Sequence, residues 1–307
     1  VSALNRTATG ITMAAVGAVI FGVSATLVGF IIDDVDPFRL SSARTAVAGL
    51  ALLPWAIVYR SAIGRAPVRV AAVGVLQIAL NGFLYIAIAR IGVGPAVGLE
   101  FLAPVMVVAW DRFAGHAHPR PVTWAAVAGA AAGVALLVQI GDLDAFDLVG
   151  VLAGVAAAAF LAIYLRLSQH VGAIVGGFPL AAGAIAMGGA VGLVVARPWS
   201  MSMPSEATVI WTVVILGTVA MALPLSMEIA SLSLVPARVV GVVITIEPVA
   251  AGVTAWIILG ESLGATQILG LLIIVVAVAA VSLTASSQDA PIRDPEPTVG
   301  RRRHPYS

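Results

Sequence analysis

Two glutamates sit where a glutamate is costly. In PARVVGVVITIEPVAAGVTAWIILGE, residues 236–261, Glu247 stands beside Pro248 in the middle of an apolar run, and in GVGPAVGLEFLAPVMVVAW, residues 92–110, Glu100 precedes Pro104 in another. A carboxylate at bilayer depth costs at least about 2.5 to 3.5 kcal/mol on insertion scales, so such a group faces a cavity or a partner and marks a functional site by default. Each proline removes a backbone donor and kinks its helix, freeing a carbonyl near the carboxyl group. Two readings of each glutamate stay open: a carboxyl bonded to a neighbouring helix for structural reasons, or a group that exchanges a proton and couples it to movement of a solute.

Further polar residues fall inside apolar stretches. Gln77, Asn81 and Tyr85 recur every four residues and so stack on one face of a helix. They suit either interhelical hydrogen bonding or recognition of a solute's amino, carboxylate or hydroxyl group. Arg44, in SSARTAVAG, has three choices: snorkelling to the interface, pairing or packing with Glu100 or Glu247, or holding a solute carboxylate, of which pairing or packing is preferred. Glu228, in ALPLSMEIASL, and Arg238 on the next span suit a gating pair or two interfacial charges. Asp111 shares a face with Glu100, Pro104 and Val107 and is expected at a solvated span end beside Arg112. Gly82, Gly94, Gly98, Gly241 and Gly252 are expected at close helix contacts.

The elements that must carry these residues follow from composition. The 307-residue chain is 61% hydrophobic and 10% charged, with mean hydropathy +1.08, far from the soluble norm of about 25% charged. It is therefore an all-α integral membrane protein. Polar breaks divide it into ten spans, at about 10–32, 38–58, 68–89, 93–112, 121–140, 148–168, 173–196, 207–231, 236–259 and 263–284. Residues 1–9 form a short lead and 285–307 a disordered polar tail ending in RRR and a few further residues. Pro104 and Pro248 lie 144 positions apart, close to half the chain. That offset suggests two five-helix repeats, 10–140 and 148–284, joined by an outer linker at 141–147. Five is odd, so the repeats are inverted, the plan on which many secondary transporters place a midplane site between their halves.

Arginine supplies every one of the 16 basic residues. With both termini cytoplasmic, twelve fall on the inner side and three, Arg39, Arg90 and Arg197, on the outer, with Arg44 within a span. All six tryptophans lie near proposed span ends, as an interfacial belt requires. The scattered arginines make no nucleic-acid surface. No cysteine, HExxH or GxSxG pattern occurs, and His116, His118, His170 and His304 fall in expected loops or the tail, so enzyme chemistry, metal ligation and cofactors are not expected.

SSARTAVAGLALLPW, NGFLYIAIARIGVGPAVGLEFLAP and ALPLSMEIASLSLVPARVVGVVITIEPVAAG are also familiar as sequences. Across about residues 10–285 the chain resembles the drug/metabolite transporter superfamily, EamA type, and within it the bacterial threonine and homoserine exporter branch. The resemblance implies ten helices in two inverted repeats, cytoplasmic termini in the cell's inner membrane, and proton-driven export of small amino acids or related metabolites. It marks Arg44, Asn81, Tyr85, Glu100, Pro104, Glu228, Arg238, Glu247 and Pro248 as matching the branch's pattern, with Gly92 standing where the branch often has proline. The site is expected at the midplane between spans three, four, eight and nine: Glu100 and Glu247 exchange protons, Asn81 and Tyr85 bind the zwitterion, and Arg44, Gln77, Pro104, Glu228, Arg238 and Pro248 support or gate. The competing expectations are export of another metabolite or a drug-like amphiphile, and, in a different class, a channel or a non-transporting scaffold.

Overall fold

A bilayer offers no partner to a backbone N–H or C=O, so a spanning segment must satisfy its own, and helices do. The computed structural model describes residues 3–113, 121–139, 147–196, 207–232, 234–235 and 237–285. Among these every regular element is helical. In chain order they are α1 (Ala3–Ile31), α2 (Pro37–Val58), the single turn α3 (Arg60–Ile63), α4 (Pro67–Ile91), α5 (Val93–Glu100), α6 (Ala103–Phe113) and α7 (Pro121–Leu137). The second half holds α8 (Leu148–Val175), α9 (Gly177–Ala196), α10 (Ala207–Gly217), α11 (Leu223–Leu232), α12 (Ala237–Val243), α13 (Ile246–Leu259) and α14 (Ala265–Ala285). A π-helical turn, Thr218–Ala222, joins α10 to α11.

Local chemistry sets the ends. Asp36 accepts the Arg39 N–H at 3.0 Å ahead of Pro37, which opens α2. Asp147 accepts the Gly150 N–H at 2.8 Å and starts α8. That bond first, and then the Arg90 guanidinium at 3.5 Å, hold the Asp147 carboxyl below the usual carboxylate value. Glycine with positive φ ends three helices: Gly92 (81°), Gly176 (94°) and Gly260 (71°).

Seven helical segments are long and apolar enough to cross a membrane, and Val93–Val107, Trp124–Leu137 and Ala265–Ala280 are shorter apolar ones. Counting α5 with α6, α10 with α11 and α12 with α13 as single spans gives the ten that the sequence predicts. Two expected boundaries move. The lead expected at 1–9 is helical from Ala3, where α1 begins. The sixth span runs past 168 to Val175, because Ser168, Gln169 and His170 continue the helix and the chain turns at Gly176 instead. His170 is consequently helical, on α8 with Nε2 3.5 Å from Arg69 Nη1, and not in a loop. The linker residues 141–146, His116, His118 and the tail from 286 lie outside the described residues.

The packing has an internal symmetry. Spans two and seven (α2, α9), five and ten (α7, α14) and four and nine (α5, α13) pack on each other. Spans three and six (α4, α8) match eight and one (α11, α1); first with ninth (α1, α13) matches sixth with fourth (α8, α5); and third with seventh (α4, α9) matches eighth with second (α10, α2). Exchanging every span for the one five places on therefore preserves the main contacts. At half-span level the symmetry is incomplete. Helix α5 packs on α13, whereas the repeat-related halves, α12 and α6, share no comparable interface among the described residues.

Beside the α5–α13 contact Glu261, from the loop after α13, accepts the Val93 N–H at the start of α5 with both oxygens, at 2.9 and 3.2 Å. Gly92 permits this: its φ of 81° is closed to proline, and a Cβ there would sit 3.0 Å from the Glu261 carboxylate.

Small residues allow the tightest crossings. Gly74 of α4 and Gly188 of α9 meet backbone to backbone, so a Cβ on Gly188 would sit 2.8 Å from Gly74 Cα. Gly188→Val should lower stability by about 1 to 3 kcal/mol through overpacking. Gly129→Ala, whose Cβ would meet its nearest neighbour at 4.0 Å, should leave the detergent melting temperature essentially unchanged. Comparing the two melting curves checks the crossing.

Candidate functional site

The site begins at the two proline breaks. Pro104 cannot donate to the carbonyl of Glu100, so α5 ends at Glu100 and a turn at Phe101–Leu102 precedes α6. Pro248 likewise cannot donate to Ile244. There the Glu247 N–H turns back to the Ile244 carbonyl at 3.0 Å, and Thr245 bonds the Val242 carbonyl through its hydroxyl at 2.6 Å. The two carboxyl groups thus flank helix breaks, Glu100 closing α5 and Glu247 in the first turn of α13.

Both face one cavity of about 190 Å³. Arg44, Gln77, Asn81, Tyr85, Glu100, Pro104, Glu228 and Glu247 all line it, so the fold gathers eight of the expected residues from five spans. Pro248 is buried at the break beside Glu247 without lining the cavity. The side chains of Arg238 and Asp111 lie outside the described residues. Of the expected close-contact glycines, Gly98 packs against Leu137, with a Cβ 2.5 Å from Leu137 Cδ2, and Gly82 packs against the Phe38 ring.

Arg44 is the most heavily bonded side chain here. It is 4% exposed, and its Nη1 donates to Tyr85 Oη and, at 3.3 Å, to Asn81 Oδ1. Asn81 is oriented in turn by its own Nδ2, which donates to the Gln77 carbonyl at 2.8 Å. On the other side Arg44 Nε donates to the Leu216 carbonyl at 3.3 Å and Nη2 to the Ala220 carbonyl at 2.9 Å. These carbonyls belong to the π turn and its approach. Pro224 has no N–H for the Ala220 carbonyl four residues before it, and the guanidinium takes up that acceptor. Gly217 lets α2 approach, since a Cβ there would sit 2.8 Å from the Arg44 carbonyl. Arg44 thus neither snorkels nor forms an ion pair with Glu100 or Glu247 among the described residues. It packs, and its partners are the ladder residues and backbone carbonyls.

The carboxyl groups are the opposite case. No hydrogen bond or ion pair reaches a side-chain oxygen of Glu100, Glu228 or Glu247 among the described residues. A carboxyl bonded to a neighbouring helix for purely structural reasons is therefore not what the described contacts contain. Their free oxygens are left to whatever the cavity holds.

Sequence reasoning missed one wall. Ala14, Gly17, Ala18, Phe21, Ser24 and Ala25 line the cavity from α1 at spacings of three and four, and Tyr164 lines it from α8. Ser24, within an otherwise apolar helix, is the signal that was available for α1. Tyr164 has none, because a tyrosine near a span end suits an interfacial belt equally well.

The bonds of Arg44 join α2, α4 and the π turn. Arg44→Ala should therefore cost about 3 to 5 kcal/mol by orphaning several buried polar groups at once. The expected result is loss of monodisperse protein on gel filtration; a well-folded Arg44→Ala protein with only solute handling lost would place the residue at the solute instead.

Three comparisons bear on this geometry. The model of the EamA-like transporter family matches twice, at residues 8–139 and 148–283. The threonine/homoserine exporter RhtA of Escherichia coli strain K12 is 31% identical over 214 residues, 68% of this chain and 69% of that protein. The threonine/homoserine exporter RhtA of Salmonella typhimurium is 30% identical over 210 residues, 67% and 68% respectively. A solved crystal structure of a protein 19% identical in sequence covers 94% of this chain and 100% of its own, with a TM-score of 0.62. At that identity the last match speaks for the fold alone.

Proposed function

The chain belongs to the EamA-like transporter family, a transporter and not an enzyme, and from that premise we propose that it exports small amino acids resembling threonine and homoserine by proton-coupled alternating access. The observation that carries this reading is one cavity, at the breaks of spans four and nine, that gathers Glu100, Glu247 and Glu228 with no protein partner for their oxygens among the described residues. A carboxyl group between helices that can be met by either a proton or an ammonium group is what exchange of the two requires.

In this reading residues 10–140 and 148–284 are inverted repeats, the arginine distribution puts both termini in the cytoplasm, and the membrane is the cell's inner one. The end where α6 and α12 share no comparable interface among the described residues is then cytoplasmic, and the end held by α5, α13 and Glu261 faces outward. This state takes solute from inside. Closing α6 on α12 and parting α5 from α13 gives its repeat-related counterpart, open outward. Asn81 and Tyr85 bind the zwitterion, Gln77 and Arg44 support them, Glu228 and Arg238 gate the inner mouth, and Pro104 and Pro248 mark the flexing points. A cavity of about 190 Å³ is below the roughly 300 to 1,000 Å³ of sites for drug-sized ligands, which favours a small solute over an amphiphile. Closure at one end disfavours an open channel.

In proteoliposomes with an imposed pH gradient, labelled L-threonine or L-homoserine should move saturably, and Glu247→Gln should insert normally yet reduce driven flux to background. Undiminished driven flux in that variant would remove the coupling role. If neither amino acid moves but another solute does, the exporter class stands and its assigned cargo falls.

The outer closure gives a separate expectation. Losing the partly exposed Glu261 bonds costs about 1 kcal/mol, so Glu261→Ala should raise the outward-open population about fivefold. The chain has no cysteine, which allows a single Ser24→Cys reporter. Its labelling by a membrane-impermeant maleimide from outside should quicken by that factor in the Glu261→Ala background, and an unchanged rate would mean that Glu261 does not hold the gate.

A further inference from the structure

The donors and acceptors of the cavity narrow what it can hold. A guanidinium has five N–H groups, and Arg44 gives four of them to Leu216, Asn81, Tyr85 and Ala220. One N–H remains, short of the two parallel donors by which arginine grips a carboxylate. Among the described residues lining the cavity Arg44 is the one cation, set against Glu100, Glu228 and Glu247. Neutral Gln77, Asn81, Tyr164, Tyr85 and Ser24 complete the inventory. Tyr85 accepts from Arg44 and keeps its own O–H to donate. Ser24 is 2% exposed, lines the cavity, and has an Oγ with no partner among the described residues.

An ammonium group thus meets three acceptors of opposite or neutral character. A hydroxyl meets both donors and acceptors. A carboxylate meets one spare guanidinium N–H and neutral hydroxyl and amide donors, which do not offset the charge of three groups of its own kind.

Resting on the exporter reading, we infer that the cavity selects its solute through the ammonium and hydroxyl groups and not through the carboxylate. Amino-acid amides, small amino alcohols and short diamines are then taken as well as the free amino acid, or better. The carboxylate of threonine is carried along, directed to the open cytoplasmic side.

The test is ligand-induced stabilisation of the purified full chain, which rises with ligand concentration over Kd and needs no flux. Four compounds are titrated: L-threonine, L-threoninamide, N-acetyl-L-threonine and 1,4-diaminobutane. Threoninamide and diaminobutane should bind at least as tightly as threonine, and N-acetylthreonine, which lacks the ammonium, at least tenfold more weakly. Glu228→Gln and Glu247→Gln should each weaken diaminobutane several-fold while leaving the weak N-acetylthreonine response unchanged. Binding of N-acetylthreonine on a par with threonine overturns the inference, as does threoninamide binding tenfold more weakly than threonine. So does the absence of any shift in a protein that melts cooperatively. Flux separates the two claims. If threonine is transported while its amide does not bind, the exporter reading stands and this one falls; if the amide and diamine bind and threonine is neither bound nor moved, the reverse holds.

Discussion

The guanidinium of Arg44 lies where no bulk water can complete its hydrogen-bond shell, and the surrounding bundle is arranged to complete it. A buried cation without partners is costly enough that the fold must supply them. The partners come from two other spans: Tyr85 and Asn81 on α4, and the Leu216 and Ala220 carbonyls before and within the π turn. Each side of this exchange explains the other. Pro224 has no N–H to offer the Ala220 carbonyl, and the arginine removes the cost of leaving it unmet. Gly217 supplies the close approach that both need.

Against that heavily bonded centre stand the carboxyl groups, placed by backbone breaks. Pro104 and Pro248 each delete a donor, so spans four and nine are made of two helices apiece, and the turn between them delivers Glu100 or Glu247 to the cavity. Broken helices survive at membrane depth only where protein or a cavity takes up the loosened groups. The cavity is thus both the reason that the breaks are tolerated and the place where their glutamates act in the proposed cycle. The same breaks divide each span into halves able to pack independently. Helix α5 packs on α13, and α6 shares no comparable interface with α12 among the described residues.

Much of this was legible in the residues. Hydropathy located all ten spans, since twenty apolar residues have few other uses, and a carboxylate within such a run named Glu100 and Glu247. The four-residue spacing of Gln77, Asn81 and Tyr85 placed them on one face. What that face met was not legible, because the partners of Arg44 are backbone carbonyls in VILGTVAMA, where no side chain advertises a π turn. Charge suggested a carboxylate partner, and geometry chose carbonyls. The α8 boundary failed for a related reason: Ser168, Gln169 and His170 looked like a polar break, yet polar residues remain helical near a span end, and only Gly176 at φ 94° forces the turn. The proline expected by resemblance at position 92 is absent for a reason that only the backbone reveals, because φ of 81° is open to glycine and closed to proline.

A transporter needs one interface that does not move and another that opens at small cost. The two polar clusters differ in that respect. Arg44 fastens spans two, three and eight with four bonds from a fully buried charge, and parting them would strand several polar groups where nothing replaces them. Glu261 fastens the start of α5 with one partly exposed carboxylate on a single backbone N–H, and water can take over both groups when the contact breaks. In the proposed cycle the first is the axle and the second the latch. Two conformations interconvert usefully only when they differ by a few kcal/mol, so that proton or solute binding can shift the balance. In that cycle a latch as strong as the Arg44 network would trap the protein facing inward, whereas a solvated carboxylate at a helix start would hold the proposed outer end shut and still allow it to open.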